Sequence, residues 1–185
     1  LNSKEIEAII AHLERSFNFD RTSLLECSLE MNPDDMTKGY LKELKNIGIN
    51  RLSIGIQSFK EEDLKLMNRA HSMQQSLDAI QLAYKTGFNS LSIDLIYGTP
   101  NLSNEEWRSN ILKAIEHKVS HISAYALTVE PQTALDNAIK NKKLAPLDEN
   151  KAAAHFEILL TTLQENGYEQ YEISNFALPG KYAVH

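Results

Sequence analysis

The chain has 185 residues, 42% of them hydrophobic and 24% charged, with a formal net charge of −6. That length supports one domain with its own core, and the acidic balance argues against a nucleic-acid-binding surface. No stretch of roughly 18 consecutive apolar residues is present, so no membrane-spanning helix is expected. The one cysteine, Cys27, can form no intrachain disulfide and suits a cytoplasmic protein.

Leu1-Asn2-Ser3-Lys4-Glu5 reads as a helix start, with a cap residue and an acid three positions on. Ile6, Ile9, Ile10, Leu13 and Phe17 supply the helical stripe. Residues 24 to 31 alternate with period two. Leu25, Cys27, Leu29 and Met31 share one face, which makes Cys27 a buried structural residue; Glu26, Ser28 and Glu30 share the other. Asn32-Pro33 then predicts a helix with proline at its first position and Asp34 and Asp35 in its first turn.

The unit repeats. A strand over 51 to 57 leads to Ser58, boxed with Glu61, and to helical residues up to about Arg69. A helix boxed by Ser72 and Gln75 runs to Gly87, and a strand over 90 to 97 follows. Gly98-Thr99-Pro100 then leads to a helix boxed by Ser103 and Glu106. A strand over 121 to 128, a helix from near Thr133, a long helix over about 148 to 165 and a last strand over 168 to 174 complete the chain. Strand and helix in alternation predict βαβ units and a parallel sheet, as one α/β domain over residues 1 to 185.

Glu30, Gln57, Asp94 and Tyr125 fall near the C-terminal ends of four strands, where open α/β sheets and barrels hold their ligands. Parallel strands are normally apolar on both faces, so a polar alternate face suggests a barrel interior built round a ligand. Glu30 can accept from an amine, Asp94 from hydroxyls, and Gln57 can do both; Arg69 can pair with a carboxylate. The set suits a zwitterionic nucleoside, although each residue is equally readable as a structural hydrogen-bonding group. His12, His117, His121 and His155 lack the spacing of metal ligands and read as surface or helix-end residues. Trp107 reads as a partly buried anchor.

Glu30-Met31-Asn32-Pro33, RLSIGIQSF at 51 to 59, Asn68-Arg69, IDLIYGTP at 93 to 100 and YEISNFA at 171 to 177 carry a resemblance. They resemble the oxygen-independent coproporphyrinogen oxidase family of radical S-adenosylmethionine (SAM) proteins, and do so along nearly the whole chain. The resemblance implies a partial (β/α)6 TIM-like radical SAM barrel of parallel strands with outer helices. It also implies SAM across the barrel mouth, a 4Fe–4S cluster on a CxxxCxxC loop, and an electron donor for that cluster. By the same resemblance Glu30, Gln57, Arg69 and Asp94 contact SAM, and Thr128 offers backbone on its adenine side.

The chain has no CxxxCxxC. It opens without an initiator methionine and stops at Val184-His185. It is therefore expected to be the central and C-terminal part of a longer barrel protein, with the cluster-binding strands and a C-terminal extension outside it. Two family branches differ in activity. One decarboxylates coproporphyrinogen III by radical chemistry; the HemW-like branch binds and transfers heme. YEISNFALPG at 171 to 180 resembles the second, in which His185 would open an HNxYW motif and offer a heme ligand. A barrel with neither cluster nor SAM, holding some other ligand, is the third alternative. An unpaired edge at residues 24 to 31 predicts self-association, or an edge covered by the N-terminal helix.

Overall fold

The computed structural model describes residues 1–184. Strands β1 (Ser28–Met31), β2 (Arg51–Gln57), β3 (Ser90–Tyr97) and β4 (His121–Ala126) lie side by side and parallel. Each is joined to the next by helical connections, as parallel neighbours require. The helices are α1 (Ser3–Phe17), α2 (Lys38–Asn46), α3 (Glu61–Leu66), α4 (Met73–Lys85), α5 (Asn104–Glu116), α6 (Ala134–Lys140) and α7 (Glu149–Glu165).

The expected parallel strand over 168 to 174 is instead a hairpin of β5 (Glu169–Glu172) and β6 (Asn175–Ala177). β6 pairs antiparallel with β4, giving the order β1-β2-β3-β4-β6-β5. The Glu172 carboxylate accepts from Ser174 N (3.1 Å) and Asn175 Nδ2 (2.9 Å), which closes the turn. A turn this short can join only antiparallel neighbours. The sheet as a whole is mostly parallel.

Capping boxes form at Asn2 with Glu5, Ser72 with Gln75, and Ser103 with Glu106, as expected. The box at Ser58 does not form, because Lys60 occupies the N-cap of α3. Ser58 is buried and its hydroxyl donates to Asp63 Oδ2 at 3.0 Å. Pro33 starts only a 3-10 turn, Pro33–Asp35, and Thr37 caps α2 afresh.

The alternation predicted from sequence divides the sheet into two faces. Leu52, Ile54 and Ile56 of β2 and Leu91, Ile93 and Leu95 of β3 are fully buried in a core shared with α2, α4, α5 and α7. Burying each such side chain stabilises the fold by about 1.5–3 kcal/mol. Trp107 is fully buried rather than partly so, and its indole N–H donates to His155 O at 2.8 Å. Cys27 is only half-buried, since it lies just before β1 at the sheet edge. His121 and His155, expected near the surface, are both buried. β1 is an edge strand. Leu1, Asn2 and Ile6 from the start of α1 face its Leu29 and Glu30 across a cavity of about 520 Å³. No helix among the described residues is long and apolar enough to cross a membrane.

Candidate functional site

The face opposite the helices is mostly polar: Arg51, Ser53 and Gln57 on β2 with Gly55 among them, Ser90, Ser92 and Asp94 on β3 ahead of Ile96, and His121, Ser123 and Tyr125 on β4. Strand register aligns them into rows. Glu30 lies opposite Ser53, and Ser53 opposite Ser92. Asp94 lies opposite Ser123.

The C-terminal end of this inner face is the candidate site. The β2–β3 register shifts between Ile54 and Gln57, and Gln57 has φ +70°, a left-handed conformation that side chains rarely adopt. The irregularity turns the Gln57 side chain back over Gly55. Its Nε2 lies 2.9 Å from where a Cβ on residue 55 would stand, and Asn32 Oδ1 and Arg69 Nη2 lie 3.7 and 3.8 Å from the same point. Gly55 is thus the gap around which three polar side chains converge.

Arg69 reaches this point because α3 ends on Asn68 with φ +53°, and Arg69 N donates back to Leu64 O at 2.9 Å. A left-handed asparagine after a helix is a common stop, and here it returns the chain toward β2. The guanidinium then donates to Asn32 Oδ1 at 3.4 Å.

Asp94 accepts from Ser53 Oγ at 3.4 Å, and Ser123 stands directly across from it on β4. Burial pushes its carboxyl up to about 6, and the Glu30 charge pushes the same way; Ser123, Ser53 and Arg69 oppose them. Burial raises Tyr125 as well; its bond to Ser123 opposes that rise, and the charges of Asp94, Glu30 and Glu172 add to it. Thr128 falls beyond β4, exposed, in a loop. With Leu66, Met67, Arg69, Ile96 and Leu127 it lines a cavity of about 360 Å³.

The structure therefore gathers Gln57 and Arg69 round Gly55, sets Asp94 and Glu30 in electrostatic contact, and puts Thr128 in the cavity that Arg69 also lines. His185 lies outside the described residues. Asn32, Ser53 and Ser123 were not singled out by sequence, yet each sits two residues, or one strand, from a residue that was. The signal that finds them is period two continued from Glu30 to Asn32 and from Gly55 back to Ser53.

The N-terminal end of the same face is closed. Arg51 donates to Ser90 Oγ (3.0 Å) and Ser92 Oγ (2.6 Å) and lies 3.8 Å from Glu26 Oε2. His121 Nε2 and Tyr171 Oη are 2.6 Å apart. The last described residues cross this end: Ala183 N donates to Tyr171 Oη, and Val184 N donates to Glu26 Oε2.

The open end suits a ligand with hydroxyls, an amine and a carboxylate: Gln57 and Arg69 meet at Gly55, and the carboxylates of Glu30 and Asp94 lie in electrostatic contact on the same face. The chain does not fit an iron–sulfur cluster. Cys27 is its one cysteine, and among the described residues no group of three or more His, Cys, Asp or Glu could hold a metal ion.

The chain belongs to the radical SAM superfamily, whose family profile matches residues 1–114. Its relatives there include HemW and HemN. The chain is 32% identical over 185 residues to the heme chaperone HemW of Lactococcus lactis, covering 100% of this chain and 48% of that protein. It is 34% identical over 164 residues to HemW of Bacillus subtilis, covering 89% of this chain and 43% of that protein. The chain thus spans about half the length of these relatives. The structure of coproporphyrinogen III oxidase (HemN) from Escherichia coli, described as a radical SAM enzyme, superposes with a TM-score of 0.83 at 28% identity, over 97% of this chain and 41% of that one.

Proposed function

We propose that the chain is the SAM-binding part of a HemW-like radical SAM protein of heme metabolism. The observation that carries this reading is the convergence of Gln57, Arg69 and Asn32 on Gly55, beside Glu30 and Asp94. In this reading the Arg69 guanidinium pairs with the methionine carboxylate and Asp94 accepts from the ribose hydroxyls. Gln57 and Glu30 hydrogen-bond the amino-acid end, and the Thr128 loop bounds the adenine side. Bound SAM supplies radical chemistry in this family once a 4Fe–4S cluster and an electron donor are present; the cluster ligands lie outside these residues. The site residues of this chain bind and orient.

Heme binding and transfer by the whole protein is the reading favoured by the HemW relatives, with His185 as a candidate ligand. A coproporphyrinogen III oxidoreductase is the second reading, favoured by the superposition on HemN.

The test is SAM binding by the full-length, cluster-loaded protein, followed by calorimetry. Arg69→Ala and Asp94→Ala are each expected to weaken binding about 100-fold, the loss of a charge-assisted hydrogen bond in a partly buried site. Failure of the complete protein to bind SAM rejects the SAM reading and leaves another ligand, and unchanged affinity in both variants rejects Arg69 and Asp94 as its contacts. Heme transfer without porphyrinogen turnover selects the HemW-like branch, and turnover selects the oxidase branch. The edge position of β1 supports a further proposal. Residues 1–185 expressed alone self-associate, seen as a sedimentation coefficient that rises with concentration, or the N-terminal helix covers the edge; a concentration-independent monomer whose β1 amides exchange freely refutes both.

A further inference from the structure

We propose that Ser53 and Ser123 are positioning residues for Asp94, one hydroxyl on each flanking strand, holding its carboxylate in the ionised form that the ligand needs. The proposal rests on the SAM reading and deepens it.

Asp94 sits on the central strand of the site. Ser123 stands directly opposite it on β4, with its hydroxyl on the same face as the carboxylate; Ser53, on β2, donates from 3.4 Å on the other side. The two hydroxyls flank the carboxylate from the neighbouring strands. The charged and titratable groups that face it are Glu30 from β1, Arg69 from beyond α3 and Tyr125 from β4. Glu30 opposes its charge. Arg69 favours it, but that guanidinium hydrogen-bonds Asn32.

A ribose brings two hydroxyl donors to one carboxylate. Both oxygens must then be free to accept, so the acid must be ionised and correctly turned. Burial and Glu30 act against ionisation, and the two serine hydroxyls act for it. An alanine at either position leaves the ligand's own contacts intact and removes that support. Ser123 has the larger influence and Ser53 the smaller.

The experiment measures the SAM dissociation constant of the full-length, cluster-loaded protein by calorimetry between about pH 5.5 and about pH 8, spanning the range of a raised carboxyl. Ser123→Ala and Ser53→Ala are expected to match the wild type near the upper end. Near the lower end they bind several-fold more weakly, Ser123→Ala the more so. Ser53→Thr, which keeps a hydroxyl, restores the wild-type profile. In an Asp94→Asn background, Ser123→Ala has no further pH-dependent effect. Alanine profiles that superimpose on the wild type overturn the assignment, as does a loss equal at every pH, which marks a structural role. Absence of SAM binding by the wild type at every pH is a different result, and overturns the SAM reading together with this proposal.

Discussion

The two ends of the inner face are built from the same residue types and behave differently. At the N-terminal end, Arg51, Ser90, Ser92, Glu26, His121 and Tyr171 bond to one another, and the backbone of Ala183 and Val184 crosses over them. At the C-terminal end, Gln57, Asn32 and Arg69 converge on Gly55, with Glu30 and Asp94 in electrostatic contact on the same face. A polar inner face therefore does not by itself mark a site. Polarity consumed inside the protein makes a plug, and polarity aimed at a gap makes a binding surface.

That contrast breaks most visibly at Arg51. Its guanidinium is buried and holds two serine hydroxyls while facing Glu26. Arg51→Ala is expected to cost about 3 kcal/mol, because it strands buried polar partners. A urea denaturation midpoint unchanged within error would show that the plug is not structural. SAM affinity measured on the folded fraction should stay within about twofold, since the plug lies at the far end of the strands from the site.

The opposite outcome is expected at Gly55. A Cβ there meets Gln57 Nε2 at 2.9 Å, the end of a flexible side chain that can swing away. Gly55→Ala should thus displace the amide at small cost in stability, under about 1 kcal/mol. Ligand affinity should fall about tenfold, the loss of one well-placed hydrogen bond. Wild-type affinity in this variant would mean that Gln57 does not contact the ligand.

The strands and their two faces were legible in the sequence because period two survives even where both faces are covered. Three capping boxes were legible because they are local, within four residues. The fourth, at Ser58, failed for a non-local reason. Asp63, with Thr99 donating to it at 2.8 Å, takes the Ser58 hydroxyl into a buried network that also reaches Asn110. The hairpin at β5–β6 was read as one strand because nothing in periodicity marks a turn made by a glutamate side chain. Within the site, Glu30, Gln57 and Asp94 stood out as long polar groups on a strand face. The turn of Gln57 over Gly55 depends on a register shift against β3, and the return of Arg69 depends on a left-handed Asn68; no pattern of hydrophobicity carries either. Burial of His121 and His155 was missed because packing from a distant element decides it.

His155 tests the contrast from a third position, behind the sheet. Its Nδ1 accepts from Gly98 N–H at 3.1 Å, so that nitrogen carries no proton and the ring proton sits on Nε2. Nε2 is buried and has no hydrogen-bond partner among the described residues. Trp107 stacks on the ring at a centroid distance of 6.0 Å. Burial, with a smaller push from Lys151, holds the imidazole down to about 4 against an ordinary 6.5. The unfolded chain therefore takes up this proton first. Stability from the neutral ring is complete above about pH 6.5 and is lost as pH falls toward about 4. Protonation would also cost the bond that ties the Gly98 loop, the exit of the strand carrying Asp94, to α7. His155→Gln keeps an acceptor for Gly98 but cannot take up the proton. At neutral pH its cost should be small, about 1 kcal/mol. The gap between its denaturation midpoint and that of the wild type should then narrow steadily on acidification below about pH 6.5. A gap constant with pH would mean that His155 does not titrate with unfolding, and that the buried ring is held by packing alone.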